Sequence, residues 1–265
     1  MNYNFINNLL LKNFTRFFPK TIGRKVFRKY KIFFVPTYSL TLPKNFYPVT
    51  TNLRLQTDFV NKFKKTRKLI NGTTQRNLDK FLSKLYKNKS FSFLDVGGDN
   101  IDLYLFLSNK LNIKKYFIFN FDEIISIFKK IKSDFYFRNF YPVNKIDKLK
   151  YVDFIYFGSC IQYFKDYKFF LKKIFKKDPK FILFSGTSFF YNSINKDTIV
   201  VKQTNILPST VYLFFFNFKD FINFFDFHGY KLVSSSKNNT IKINYENFKP
   251  LLKKVEYLDL LFKKK

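Results

Sequence analysis

The chain of 265 residues contains no tryptophan and no alanine, and only one cysteine, Cys160, and one histidine, His228. A lone cysteine excludes an intramolecular disulfide framework, and Cys160 with His228 falls short of the roughly four Cys/His ligands that a structural zinc site needs, so no metal is expected. No apolar run approaches the ~18–20 residues of a membrane span; the densest aromatic run, Val211 to Phe218, has the length of a strand. The amino-terminal segment lacks a long apolar region and a small-residue cleavage site, so the chain reads as retained in a reducing, cytoplasmic interior. With 7 Gly and 8 Pro it is also too poor in both for a collagen-like or low-complexity chain.

Acidic residues are scarce as well: 18 Asp and Glu face 49 Lys and Arg, a formal net charge of +31. Only 7 of those 49 are Arg. Abundant Lys, Asn, Ile, Tyr and Phe is what an AT-rich genome writes, and lysine lacks the planar fork that reads base edges, so no specific nucleic-acid partner is expected from the charge. The first acidic residue is Asp58. Before it, basic residues interleave with Phe5, Leu9, Leu10, Phe14, Phe17 and Phe18. This pattern reads either as a basic amphipathic arm in peripheral contact with the anionic inner membrane face or as an ordinary surface helix.

What is abundant is core material: 46% of residues are hydrophobic and 22% aromatic, enough for a sizeable buried core. Residues 33–56, with Pro36, Pro43 and Pro48, read as an extended connector, and Thr57–Lys87 as two amphipathic helices broken at Asn71-Gly72. From Ser90 short apolar strands alternate with helix-length stretches. Strands are expected at Phe91–Val96, Tyr116–Phe121, Phe135–Arg138, Val152–Gly158 and Phe181–Ser185. Helices are expected from about Asp99 to Leu111, from Asp122 to Lys132 and from Asp166 to Lys176. The remainder reads as strands at Thr198–Gln203 and Val211–Phe215, a helix at Phe218–Phe227, and closing strands at Tyr230–Ser235 and Thr240–Tyr245. This alternation predicts an α/β, doubly wound, mostly parallel sheet with helices on both faces. The division expected is a basic helical extension over 1–88 and a Rossmann-like domain over 89–265.

The segment most informative about chemistry is FSFLDVGGDN. A strand ends in Asp95, and Gly97-Gly98 then lets the backbone turn tightly and a ligand approach the following helix. In doubly wound sheets ligands bind at the carboxyl ends of strands. On FLDVGGDN, then VDFIYFGSCIQYFKDYKFFLKKI, KFILFSG and FKDFINFFDFHGYKLV, the chain resembles the class I S-adenosylmethionine-dependent methyltransferases. Within them it is similar to enzymes encoded in bacterial surface-polysaccharide gene clusters. The resemblance covers about residues 90–236 and leaves out the first 55.

The resemblance implies a Rossmann-like methyltransferase fold, S-adenosylmethionine as cofactor, and a small-molecule or glycan acceptor; with a lipid-linked acceptor, the basic arm would serve as an anchor. It places Asp95, Gly97, Gly98 and Asp99 on the first cofactor loop. Asn120 falls where the family usually carries an acidic residue for the ribose, with Asp122 two positions on as a substitute. Gly158 and Ser159 fall on the cofactor-pocket wall after the fourth strand, and Gln162 and Tyr163 toward the acceptor. Asp99 and Ile101 stand where the family prefers glycine. Gln162, Tyr163 and His228 are the candidates for a catalytic role. For His228 the competing reading is a helix C-terminal residue favourably placed in the dipole.

Other constellations are weaker. Gly-Ser-Cys-Ile around Ser159 fails the Gly-x-Ser-x-Gly pattern of a hydrolase elbow. Cys160 has no Arg or Lys immediately beside it in sequence to lower its pKa and reads as a small core or pocket residue rather than a nucleophile. Asp153 opens its strand, away from the ligand end, and reads as structural. A catalytically silent Rossmann module and a nucleic-acid methyltransferase remain as alternatives; the latter lacks an Asn/Asp-Pro-Pro-Tyr-like tetrad, with GSCIQY in its place.

Overall fold

A computed structural model describes residues 34–36, 51–66, 73–191, 197–206, 209–239 and 254–265. The basic arm, the Asn71-Gly72 break and the expected strand at Thr240–Tyr245 lie outside these residues. Phe34–Pro36 forms a short strand, β1. The helix α1, Leu53–Thr66, begins inside the expected connector, and α2 spans Thr73–Leu85.

The Rossmann core follows: β2 at Phe91–Val96, α3 at Asp102–Ser108, β3 at Ile113–Phe119, α4 at Asp122–Phe135 and β4 at Phe140–Val143. It continues through β5 at Phe154–Gly158, α5 at Tyr167–Phe175 and β6 at Phe181–Tyr191. The expected strand at Phe135–Arg138 is a correction: Phe135 ends α4, and Tyr136 caps the helix in the left-handed region at φ 55°. The Phe137 amide returns to the Lys132 carbonyl, so the strand begins only at Phe140.

β4, β3, β2, β5 and β6 are neighbours in that order and all parallel. Every residue of β2 is buried, as expected of a central strand covered on both faces. One face, with Phe93, Tyr116, Phe154 and Tyr156, packs on Val60 and Phe63 of α1, Leu78 and Leu82 of α2, and on α3 and α4. The other, with Leu94, Val96, Ile155, Phe157 and Phe184, packs on Leu171 and Ile174 of α5 and on α6, Phe218–Phe227. Leu53–Leu85 therefore shares one core with the sheet.

The carboxyl-terminal part adds two antiparallel features. The strand β9, Tyr230–Lys237, pairs with β10, Lys254–Lys264, which in turn lies along β6 from Phe181 to Tyr191. Because β10 holds one edge of β6 over that whole length, β5 and β8 share the other edge. The hairpin of β7, Thr198–Ile206, and β8, Ser209–Asn217, joins that edge only at Phe189 and Phe190, beyond the end of β5. β1 closes the hairpin by pairing with β7. The hairpin thus stands over the carboxyl ends of the parallel strands. Asn217 then caps α6, accepting from the amides of Lys219 and Asp220.

Candidate functional site

The loop leaving β2 is built around a buried carboxyl. Asp95 is only 3% exposed, and its Oδ2 accepts a hydrogen bond from the Tyr116 hydroxyl at 2.9 Å. Burial pushes its pKa from the ordinary 3.8 to about 7, and the nearby carboxylates of Asp99 and Asp102 push the same way, against the Tyr116 bond. Gly98 lies directly over this carboxyl: a Cβ there would sit 2.4 Å from Asp95 Oδ2. The Gly97 amide donates to the Phe119 carbonyl at 2.8 Å, and a Cβ on Gly97 would meet Cys160 Cβ at 2.7 Å. The two glycines are therefore demanded by packing from below and beside the loop.

Two side chains hold the loop in place. Asn120 Nδ2 donates to the Gly98 carbonyl at 2.8 Å while its Oδ1 accepts from the Phe121 amide. Gln56 of α1, fully buried, donates through Nε2 to Thr51 Oγ1 and to the Asp99 carbonyl, and its Oε1 accepts the Ile101 amide at 2.9 Å. This capture explains why α3 starts at Asp102 rather than near Asp99. Sequence reasoning missed Gln56; the only available signal was a polar residue on an otherwise apolar helix face.

Of the other cofactor candidates, Asp99 is exposed at the lip and Asp122, also exposed, opens α4, where its Oδ1 accepts from Asn144 Nδ2 at 2.6 Å. Phe121, between Asn120 and Asp122, leaves its ring 62% exposed at this rim. Exposed Gly158 ends β5, packed over the Tyr156 ring. The parallel topology thus places Asp95, Gly97, Gly98, Asp99, Asn120, Asp122 and Gly158 at the carboxyl ends of β2, β3 and β5, where a doubly wound sheet has its crevice.

Ser159 follows in a left-handed conformation, φ 56°, with its amide donating to the Ser185 carbonyl at 2.8 Å. Its hydroxyl packs against Gly186, φ +61°, where a Cβ would come within 2.3 Å of Ser159 Oγ, so that corner requires glycine. Gln162 staples both corners: fully buried, it donates through Nε2 to the carbonyls of Ser159 at 3.0 Å and Gly186 at 3.4 Å. Tyr163 reaches the hairpin, its hydroxyl donating to Gln203 Oε1 at 3.0 Å. Gln162 and Tyr163 therefore fix the wall and the hairpin, and Ser159 is the exposed residue of the segment.

His228 is placed elsewhere. It ends α6, contacts the Phe224 carbonyl through Nδ1 at 2.7 Å and stacks on Phe175. The neighbouring Tyr230 pairs with Lys264, whose amide bonds to the Lys180 carbonyl, so His228 lies at the amino end of the sheet, opposite the crevice. The competing helix-terminal reading is the one its position matches. Asp153, at that same end, ties Ser92, Tyr151 and Lys180 together. Cys160 donates to the Val96 carbonyl, and burial pushes its thiol pKa up, which keeps it protonated. Among the described residues no group of three His, Cys, Asp or Glu could hold a metal, and no helix is long and apolar enough to cross a membrane.

No family model and no curated protein sequence matches the chain. Solved structures do. A 1,6-didemethyltoxoflavin-N1-methyltransferase from Burkholderia thailandensis, with bound 1,6-didemethyltoxoflavin and S-adenosylhomocysteine, superposes at TM-score 0.50 and 13% identity over 87% of this chain and 99% of its own. The N-terminal domain of EvdMO1, in the presence of S-adenosylhomocysteine and D-fucose, reaches 0.54 at 9% identity over 83% of this chain and 100% of its own. The fold is that of the class I methyltransferases. At these identities the likeness defines architecture alone, and the chemistry has to be argued from the crevice.

Proposed function

We propose that the chain binds S-adenosylmethionine in the crevice between the ends of β2 and β5 and directs its methyl group to a small-molecule acceptor. The observation that carries this reading is Asp95. It is a buried carboxyl whose acting charges, Asp99 and Asp102, are both negative. A ligand bringing positive charge over Gly97-Gly98 relieves that repulsion, and S-adenosylmethionine carries an ammonium and a sulfonium. The bare loop fits the methionine moiety, and the exposed ring of Phe121 offers a flat face for a purine. Asp122, whose Oδ1 binds Asn144, would take the ribose with Oδ2, because Asn120 already holds the loop.

The bound cofactor would supply an electrophilic methyl group for in-line displacement. The protein's contribution is then positioning: Gln162 and Gly186 hold the acceptor wall rigid, Tyr163 anchors the hairpin above it, and Ser159 faces the acceptor. With His228 at the far end of the sheet, no imidazole serves as base. A sugar or surface-glycan intermediate is the finer reading. It is supported by the sequence resemblance and by the D-fucose used with the EvdMO1 domain. A lipid-linked acceptor would give the basic amino-terminal arm an anionic surface to rest on.

One observation favours the silent-module alternative: Asn120 stands where a carboxylate would hold the ribose, and its amide is engaged by the loop. Transfer of a radiolabelled methyl group to a panel of sugars, nucleotide sugars and lipid-linked sugars separates the two. Label in any acceptor supports the enzyme; cofactor binding without transfer to any of them supports the silent module.

A further inference from the structure

A cleft opens on the sheet face covered by α2, beside the end of β5 where it pairs with β6. It has a volume of about 140 Å³ and is lined by Leu78, Phe81, Leu183 and Leu261 on its apolar side and by Tyr156, Ser185, Ser234, Ser236 and Asp259 on its polar side. The polar side is made by a bulge: the pairing of β10 with β6 shifts between Leu258 and Leu260, which leaves Asp259 facing Ser185 and Gly186. Asp259 Oδ1 accepts three hydrogen bonds, from Ser185 Oγ at 3.0 Å, the Gly186 amide at 2.7 Å and Asn238 Nδ2 at 2.8 Å.

That staple uses one oxygen of the two. Asp259 Oδ2 and the hydroxyls of Ser234 and Ser236 have no hydrogen-bond partner among the described residues, and no described lysine or arginine pairs with Asp259. Three other described carboxylates, those of Asp153, Asp226 and Glu256, each have a lysine within 3 Å. Among the described residues the cleft therefore presents three oxygen acceptors, one of them on a carboxylate that no described lysine or arginine pairs with, backed by leucine and phenylalanine side chains.

We propose that this cleft is a binding site for a small primary ammonium carried on a short apolar body. An ammonium has three donors and no acceptor, which matches Asp259 Oδ2, Ser234 Oγ and Ser236 Oγ. The volume compares with the roughly 150 Å³ cavity that takes one benzene ring, so the body has about four to six carbons. The site is also joined to the crevice wall, since the Gly186 amide held by Asp259 belongs to the residue that packs on Ser159 Oγ.

The test is NMR titration of the full-length protein with butylammonium chloride and, separately, with 1-butanol, at fixed ionic strength. Butylammonium is expected to saturate shifts at Ser185, Gly186, Ser234, Ser236 and Asp259, with 1-butanol at least tenfold weaker. Asp259→Asn keeps the Oδ1 acceptor for the bulge and should weaken butylammonium at least tenfold. Should that variant misfold, Ser234→Ala with Ser236→Ala, both exposed, is expected to weaken it several-fold. Equal binding of 1-butanol, undiminished binding in the variants, or no saturable shift at these residues would overturn the proposal.

Discussion

The hydroxyl of Tyr116 on β3 donates to the carboxyl of Asp95 on β2 at 2.9 Å, and both groups are buried. Tyr116 is held well above its ordinary pKa by burial and by Asp95 itself, so it remains a neutral donor. One phenol is thus the buried support for the carboxyl that floors the crevice.

That arrangement has a pH signature. Asp95 titrates at about 7 in the folded protein, against an ordinary 3.8 for an unfolded chain. Between those values the native state keeps a proton that the unfolded state has released, so this group's contribution to stability falls as pH rises from about 4 to about 7 and is level above. The slope cannot exceed about 1.4 kcal/mol per pH unit. Urea unfolding of wild type and Asp95→Asn from about pH 5 to pH 8 should show wild type losing ground to the variant as pH rises. A difference independent of pH would contradict the assignment.

Gln56 ties α1 to the loop by accepting the Ile101 amide and donating to the Asp99 carbonyl. Gln56→Ala leaves the Ile101 amide buried without its acceptor and should cost roughly 1–3 kcal/mol in urea unfolding. Protection of the Ile101 amide from hydrogen exchange should fall in parallel. Gln56→Glu, which keeps that acceptor, should retain more of the protection.

At Gly98 the constraint is space. A Cβ would sit 2.4 Å from Asp95 Oδ2 and 2.9 Å from Ile118 Cδ1, so Gly98→Ala must displace the buried carboxyl and the side chain beside it. A stability loss of about 1–3 kcal/mol is expected. Binding of S-adenosylhomocysteine should weaken by tenfold or more. A variant that binds as wild type does would show that the loop lies clear of the ligand.

The turn after β2 was legible in sequence because it depends on local signals. Asp95 ends a run of apolar residues and two glycines follow it, and β2 and α6 have the bounds the pattern predicts. What escaped depends on distant pairing. β10 is buried at Tyr257, Leu258, Leu260, Leu261 and Phe262, so it shows no alternation, and only its partners β6 and β9 define it as a strand. β6 runs through Gly186, which reads as a stop, because Asp259 of β10 catches that amide and the strand resumes. His228 sits near Gly229 and a helix end in sequence, and nothing local shows which end of the sheet that helix terminates at.

The most direct test of the central claim is calorimetric titration of the purified full-length protein with S-adenosylhomocysteine, with Asp95→Ala as control. The account predicts micromolar binding by wild type and its loss in a variant that still unfolds cooperatively. A folded wild-type protein that takes up no S-adenosylhomocysteine, or an Asp95→Ala variant that binds it equally well, would contradict the account.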